Sequence, residues 1–234
     1  MSLQPPSTSS PTISKSSYRY VKYTFFKVNP DWKRLSLQAC EASKKEFLNL
    51  LKEYGREFSI RTYSLIGTRG DVDFATWLIT DSVEALQDIH SSLLKTSFGK
   101  YLSTPYSYLA MFKHSEYFGK STEAEPAGSK YLFVYPLTKK REWYSLPFEE
   151  RQRIMRDHVQ IGHKYSSVKI HTAYSFGLDD YEFVLSFETD HPQDFLNLVM
   201  GLRTSEASKY TALETPIFTC VNMKLKKMLD LFGP

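Results

Sequence analysis

Histidine is the side chain best suited to bind a metal or move a proton near neutral pH, and one of the six histidines stands apart. It is His158, in the stretch 149–163 (EERQRIMRDHVQIGH). On a helix, Ile154, Met155 and Ile161 share one face with the imidazole, so the pattern predicts that His158 points from an apolar face toward the core. The other five histidines lie at positions typical of surface or hydrogen-bonded side chains.

A buried neutral imidazole needs a partner for each ring nitrogen. A metal would satisfy one nitrogen, and a carboxylate or carbonyl would orient the other. No second ligand at zinc-like spacing accompanies His158, which favours iron in haem, a group that brings its own equatorial ligands. Gly162, one turn further on, would leave room for such a flat group. The spacing alone also allows a core histidine with two hydrogen-bond partners.

The elements that must position His158 follow an order that occurs twice. Each copy begins with an aromatic-rich strand and a helix, and continues with two strands joined by a glycine turn, a second helix and a closing strand. The predicted ranges are 20–28, 32–54, 58–66, 73–79, 83–94 and 106–112 in the first copy, and 131–137, 147–165, 168–175, 181–187, 193–202 and 216–223 in the second. This βαββαβ order is ferredoxin-like.

Residue identities support a duplication of one unit. A shift of 109 residues brings Asp73-Phe74 onto Glu182-Phe183 and Thr80-Asp81 onto Thr189-Asp190, and it aligns apolar helix positions in between. We infer a tandem repeat of about 100 residues per copy. The expected fold is α+β, with two ferredoxin-like sheets packed as an eight-stranded dimeric α+β barrel and the helices outside. One outer groove, in the second copy alone, would hold a ligand.

Two segments of low apolar content delimit the copies. Residues 1–17 are rich in Ser, Thr and Pro, which predicts a flexible tail. A soft linker at 119–129 (GKSTEAEPAGS) separates an N-terminal repeat at 18–118 from a C-terminal, ligand-binding repeat at 130–234.

The overall composition excludes several classes of protein. Hydrophobic residues at 41% and charged residues at 24% are typical of a globular chain, not a disordered or fibrous one. No run approaches the ~20 apolar residues of a membrane span, and a net charge of +4 does not favour nucleic-acid binding. Two widely separated cysteines indicate neither a disulfide framework nor a cysteine zinc site. The absence of a secretion-type N-terminus favours a cytoplasmic protein.

Three stretches of the second copy resemble the chlorite dismutase family, and within it the bacterial coproheme decarboxylases. They are YPLTKK…WYSLPFEERQRIMRDHVQIGHKY at 135–165, SFGLDDYEF at 175–183 and LRTSEASKY at 202–210. The repeated βαββαβ order extends the likeness to everything after the tail. The resemblance implies the dimeric α+β barrel, haem b or coproheme (iron coproporphyrin III) in the C-terminal half, and assembly as a homo-oligomer, usually a pentamer.

The resemblance also assigns roles to single residues. His158, in the tetrapeptide MRDH, falls on the proximal iron ligand. Glu206 falls where members related to chlorite dismutase place a carboxylate on the second imidazole nitrogen, which would push electron density to the iron. Tyr135 matches the tyrosine that the decarboxylases oxidise to a radical. Lys139 matches the lysine beside the reacting propionates.

Three further residues match contacts to the porphyrin. Arg203 and Ser208 match propionate contacts, since a guanidinium clamps a carboxylate through two hydrogen bonds and a hydroxyl adds one more. Trp143 falls in the Trp-Tyr pair near the porphyrin edge. Taken singly, such residues are more often ordinary strand-end, helix-end or surface side chains. Their co-linear spacing favours one shared site.

The position thirteen residues after the proximal histidine departs from the family. Chlorite dismutases have an arginine there, over the distal face, and the Firmicute-type decarboxylases a glutamine, whereas this chain has His171. Without the guanidinium, chlorite would lack its main electrostatic clamp. A distal histidine is the usual base for peroxide cleavage, so we expect His171 to face the pocket in that role. The arginine usual before the YP strand is also missing, which makes coproheme binding less strongly implied than haem binding.

The resemblance therefore implies a haem-binding oxidoreductase that uses hydrogen peroxide to convert coproheme to haem b. Tyr135, His171 and Lys139 are its expected catalytic residues. One alternative is an enzyme with resident haem b, either a peroxidase or a chlorite dismutase. The others are a non-enzymatic haem carrier or sensor and a barrel that has lost haem altogether.

Overall fold

The computed structural model of the chain describes residues 19–113 and 125–233. The predicted tail at 1–17 and the first part of the predicted linker, 119–124, lie outside the described residues. None of the helices within the described ranges is long and apolar enough to cross a membrane.

Both βαββαβ repeats are present in the order that the sequence predicts. The first contains β1 (Arg19–Val28), α1 (Leu37–Tyr54), β2 (Ser59–Ser64), β3 (Phe74–Thr80), α2 (Val83–Lys95) and β4 (Leu102–Phe112). The second contains β5 (Tyr131–Lys139), α3 (Arg141–Ser145), α4 (Phe148–His163), β6 (Lys169–Tyr174), β7 (Phe183–Thr189), α5 (Pro192–Arg203), β8 (Thr211–Leu213) and β9 (Phe218–Asn222), followed by α6 (Leu225–Asp230). The short elements α3, β8 and α6 are additions to the predicted pattern.

The first predicted helix, at 32–54, is two elements in the structure. A 3-10 helix at Pro30–Arg34 ends before Ser36, which is extended, and α1 begins after it. The Ser36 side chain accepts a hydrogen bond from the backbone N–H of Ala39, so a new helix start is capped inside the predicted range. Trp32 is fully buried, which explains why the apolar periodicity continues across the break.

The two sheets join edge to edge into one closed barrel. The strand order is β4-β1-β3-β2 in the first repeat and β9-β5-β7-β6 in the second, and the barrel closes through the antiparallel pairs β2–β9 and β4–β6. Every strand pair is antiparallel, and β8 extends the outer end of β5. The fold is thus the predicted dimeric α+β barrel with its helices outside.

Side chains that alternate along each strand fill two separate layers. Inward-pointing residues from both sheets form the barrel core, including Tyr23, Trp77, Val134 and Phe218. Outward-pointing residues of the first sheet pack against α1, α2 and α6 in a second continuous core. The outer face of the second sheet is covered less completely, and a large cavity lies there.

Candidate functional site

The cavity lies between helices α4 and α5 and the outer face of β5, β6 and β7. Its volume is about 720 Å³. The corresponding space in the first repeat is about 40 Å³ and lies among Thr24, Thr76, Ile89 and neighbouring side chains. Within the described part of the chain, the two outer faces therefore differ sharply, and the second repeat carries the larger cavity.

The difference follows from two helix positions. α4 begins 111 residues after α1, and at that offset His158 corresponds to Phe47 and Gly162 to Leu51. Phe47 and Leu51 are buried in the first repeat, where the Phe47 ring packs edge-on against Phe74. Burying a side chain of this size stabilises a fold by roughly 1.5–3 kcal/mol. This packing is absent from the second repeat, where the imidazole of His158 and the backbone of Gly162 face the cavity instead.

His158 lines the cavity and is held as a neutral imidazole. Burial, followed by the nearby charge of Lys139, lowers its pKa to about 4. Its Nδ1 is buried and has no hydrogen-bond partner. A buried polar atom without a partner costs roughly 1–3 kcal/mol, so the atom points to a ligand or metal that would pair with the ring. The alternative of a core histidine with two hydrogen-bond partners does not match this geometry.

Tyr135 projects from β5 into the same cavity. Its ring stacks on Phe187 of the neighbouring β7, with 5.5 Å between ring centroids and an interplanar angle of 17°. Burial is the main cause of a raised pKa, and the charge of Glu214 acts in the same sense. The side chain is therefore a protonated phenol at neutral pH, fixed in position by its stacking partner.

Lys139, at the end of β5, brings a positive charge to the cavity wall. Its Nζ donates to the carbonyl oxygen of Ala207 at 3.3 Å and lies 5.0 Å from the ring centroid of Trp143. Trp143 is buried and reaches the cavity from α3, the short helix absent from the predicted pattern. Burial lowers the pKa of Lys139 to about 8, although Glu214 and Glu182 oppose the shift. The ammonium therefore carries its charge at neutral pH but loses it readily above.

Arg203 and Ser208 also line the cavity. The Ser208 hydroxyl donates to the backbone carbonyl of Arg203 at 2.8 Å, which holds the loop after α5 against the helix end. The Arg203 guanidinium is ion-paired with Glu214, a carboxylate that also lines the cavity. The predicted carboxylate clamp is thus already occupied by a side chain of the protein.

The predicted contact between Glu206 and the His158 imidazole is absent. Glu206 Oε2 accepts a hydrogen bond from Arg153 at 2.8 Å, and Arg153 pairs with Glu150 as well. A hydrogen bond from a permanently charged guanidinium stabilises a carboxylate more than one from a neutral imidazole. This explains why Glu206 pairs with Arg153. Glu206 does not belong to the cavity lining.

The expectation that His171 faces the cavity is wrong. Alternate residues of β6, namely Ile170, Thr172 and Tyr174, face the cavity, so His171 points into the barrel. There it is 2% exposed and its Nε2 lies 2.9 Å from Glu188 Oε2. Burial alone would raise the pKa of Glu188. The hydrogen bonds with His171 and with two backbone N–H groups outweigh burial, so the pKa of Glu188 is lowered. His171 is part of the barrel core, remote from any ligand in the cavity.

Several cavity residues were not anticipated from the sequence. Glu214 follows β8 in an irregular segment, where no periodicity indicates which way a side chain points. Thr172 could have been found from alternation in β6, once the barrel-facing side of that strand was known. His163 lines the cavity at the end of α4, five residues after His158.

Taken together, the cavity suits a flat, anionic, metal-containing ligand. It offers the neutral imidazole of His158, apolar walls from helices and sheet, and two cationic side chains, Lys139 and Arg203. No cluster of three or more metal-ligating side chains occurs among the residues that the structure describes. A metal bound at His158 alone would therefore have to bring most of its own ligands.

The fold is a dimeric α+β barrel with a large cavity on its second half, and comparison with known proteins identifies the family. A family model described as chlorite dismutase matches residues 40–223. The coproheme decarboxylase of Mycolicibacterium smegmatis is 31% identical over 219 residues, which cover 92% of this chain and 94% of that protein. This chain therefore belongs to the chlorite dismutase family.

Solved structures agree on the architecture. The chlorite dismutase of Candidatus Nitrospira defluvii in complex with imidazole has a TM-score of 0.86 at 24% identity, covering 95% of this chain and 98% of that one. A haem-binding protein from Thermus thermophilus has a TM-score of 0.82 at 23% identity, covering 92% and 94%. At these identities, the likeness establishes the fold.

Proposed function

We propose that this protein is a peroxide-dependent coproheme decarboxylase that binds iron coproporphyrin III in the C-terminal cavity and converts it to haem b. The observation that carries the proposal is that His158, Tyr135 and Lys139 line one large cavity. The name of the M. smegmatis relative supports the choice of substrate.

The cavity fits an iron porphyrin in size and chemistry. Its volume of about 720 Å³ falls within the range of roughly 300–1,000 Å³ typical of ligand pockets. His158 would hold the iron, because it is the neutral nitrogen donor with an unpaired buried ring atom. Lys139, Arg203 and Ser208 would hold propionates, with Trp143 beside the macrocycle. When bound, the iron supplies the redox chemistry through which hydrogen peroxide oxidises the site.

Tyr135 is suited to pass that oxidation to a propionate. Its raised pKa keeps the phenolic proton in place at rest, so the side chain gives up an electron and a proton together. The radical then takes a hydrogen atom from the propionate, and Phe187 holds the ring in position meanwhile. Each propionate that becomes a vinyl group loses carbon dioxide and two electrons, while one peroxide is reduced to two waters.

Lys139 would hold the propionate that reacts. Its ammonium is fixed by Ala207 and by the Trp143 ring, so it offers a charge at a defined place. In a low-dielectric site such a charge attracts a carboxylate strongly. As the carboxylate leaves as neutral carbon dioxide, Lys139 is left unpaired, and its low pKa makes release of its proton easy.

The cavity is less suited to chlorite dismutation. Among the cavity-lining residues that the structure describes, Arg203 is the single guanidinium, and Glu214 already neutralises it. Chlorite cleavage would rely on a free guanidinium to clamp the oxyanion, and Lys139, the other cation of the lining, is assigned to the propionate. A resident-haem peroxidase and a haem carrier would use the same cavity, but neither would change the porphyrin.

Mass spectrometry of the porphyrin tests the proposal. The protein is loaded with iron coproporphyrin III, treated with hydrogen peroxide, and the porphyrin is extracted and weighed. We expect stepwise loss of two carboxyl groups in the wild type, and no loss in Tyr135→Phe, which keeps the ring and its stacking on Phe187 but lacks the hydroxyl. Unchanged porphyrin in the wild type would refute decarboxylation. Equal conversion in the Tyr135→Phe protein would refute the role of the tyrosine.

We also propose that the chain self-associates, as the family resemblance implies. Leu196 and Met200, one helical turn apart on α5, are 60% and 61% exposed. Large apolar side chains left open in a single chain favour an interface. Light scattering coupled to size exclusion should give a mass of several chains, and a monomer mass at micromolar concentration would contradict this.

A further inference from the structure

Glu214 is a carboxylate placed where a ligand carboxylate is expected. It lines the cavity beside Tyr135 and Lys139, and its side chain is 17% exposed. Its partner, Arg203, is half exposed at the cavity wall and is one of two described residues that bring a full positive charge to the lining. The proposed reaction assigns no role to Glu214.

The ion pair sets the charge that the cavity presents to a ligand. With Glu214 ionised, Arg203 is neutralised, and an incoming carboxylate has to compete with Glu214 for the guanidinium. Glu214 also acts on the other cation, since its charge opposes the effect of burial on the pKa of Lys139. One partly buried carboxylate thus acts on both groups that would bind anions.

We propose that Glu214 is a specificity-determining residue, an internal competitor that limits how strongly the cavity holds carboxylates. The inference rests on the proposed function, because the competing ligand is a porphyrin with several propionates. A tetracarboxylate porphyrin meets repulsion from Glu214 and competes with it for Arg203. A dicarboxylate porphyrin presents less negative charge and is penalised less. Glu214 therefore narrows the difference in affinity between substrate and product.

The consequence for a variant follows from charge alone. Glu214→Gln keeps the shape and can still accept a hydrogen bond from Arg203, but it removes the negative charge. Arg203 then becomes available to a ligand carboxylate, and a charged pair in a partly buried site is worth considerably more than one in water. The gain should be largest for the ligand with most carboxylates.

Fluorescence titration with metal-free porphyrins tests this without iron or turnover. Coproporphyrin III, with four carboxylates, and protoporphyrin IX, with two, are titrated into wild-type protein and Glu214→Gln. We expect the variant to bind coproporphyrin III about tenfold more tightly than the wild type does. Its affinity for protoporphyrin IX should rise by a clearly smaller factor. Glu150→Gln is the matched control, because it removes one negative charge paired with Arg153 outside the cavity lining. It should leave both affinities unchanged.

The outcomes separate the two claims. An unchanged ratio of the two affinities in Glu214→Gln, or weaker binding of coproporphyrin III, would overturn the role of Glu214 while leaving the proposed function standing. If Glu150→Gln changed the two affinities as much as Glu214→Gln does, the effect would come from net charge alone. That result would also overturn the role of Glu214. If the wild type binds neither these porphyrins nor iron coproporphyrin III, the proposed function and this inference fall together.

Discussion

Gly162 offers two substitutions, a small one that should raise the stability of the fold and a large one that should weaken ligand binding. It lies in the last turn of α4 and lines the cavity. A Cβ added there would meet Ile170 Cδ1 at 3.7 Å, an ordinary contact, and no other atom within 4 Å. An alanine therefore fits without strain, while a larger side chain has to turn into the cavity.

The magnitude for Gly162→Ala follows from helix propensity. Glycine inside a helix is less stable than alanine by roughly 0.5–1 kcal/mol, and the lower end applies because Gly162 is near the helix end. For a chain of this length, that gain raises the melting temperature by about 1–2 °C. We expect this rise in the ligand-free protein, measured by thermal denaturation.

Gly162→Phe tests the site itself. The ring cannot extend toward Ile170, so it occupies the space of a macrocycle, and we expect iron coproporphyrin III to bind at least about tenfold more weakly. Gly201→Ala is the control, since Gly201 lies on α5 outside the cavity lining and its added Cβ would crowd Ile161 at 3.2 Å. It should not change porphyrin affinity. Wild-type binding by Gly162→Phe, or a loss of stability in Gly162→Ala, would refute the reasoning.

Three further predictions concern charged groups. His158 has a pKa of about 4 against about 6.5 when unfolded, so the unfolded chain binds more protons in that range. Lowering the pH from 7 to 5 should then reduce the free energy of unfolding of the ligand-free wild type by roughly 2 kcal/mol more than that of His158→Phe. Urea denaturation at the two pH values measures this. Because Lys139 deprotonates near pH 8, affinity for coproporphyrin III should fall by up to about tenfold per pH unit above that point, and stay flat in Lys139→Met. His171→Leu leaves Glu188 buried without its imidazole partner and should destabilise the fold by about 3 kcal/mol, while porphyrin affinity, measured by the same titration, stays unchanged. The His158 prediction fails if the stability of the wild type does not depend on pH. The Lys139 prediction fails if the porphyrin affinity of Lys139→Met still falls with rising pH, and the His171 prediction fails if His171→Leu binds porphyrin more weakly.

The fold was accessible from the sequence because its signals are local and repeated. Alternation of apolar residues indicates the strands. Because the same pattern recurs after a shift of 109 residues, each copy supports the assignment of elements in the other. The offset of β3 from β7, Phe74 to Phe183, is the predicted one. His158 was found for a similar reason, since helical periodicity states directly which face a side chain takes.

The remaining site residues depend on information that periodicity does not carry. In β6 a polar side chain occurs on either face, Thr172 toward the cavity and His171 toward the barrel, so hydrophobic alternation does not tell the two faces apart. Glu206 begins a short 3-10 helix and Glu214 lies in an irregular segment, and tertiary packing sets the partners of both. Their guanidinium partners, Arg153 and Arg203, are distant enough in sequence that no local pattern links them.

The central claim is that His158 binds the iron of a porphyrin in the second-repeat cavity. The most direct test is titration of iron coproporphyrin III into wild type and His158→Ala, followed by absorption and electron paramagnetic resonance spectra. We expect a histidine-ligated iron in the wild type, its loss in His158→Ala, and its return when free imidazole is added to the variant. Identical spectra from the two proteins before imidazole is added would contradict the claim.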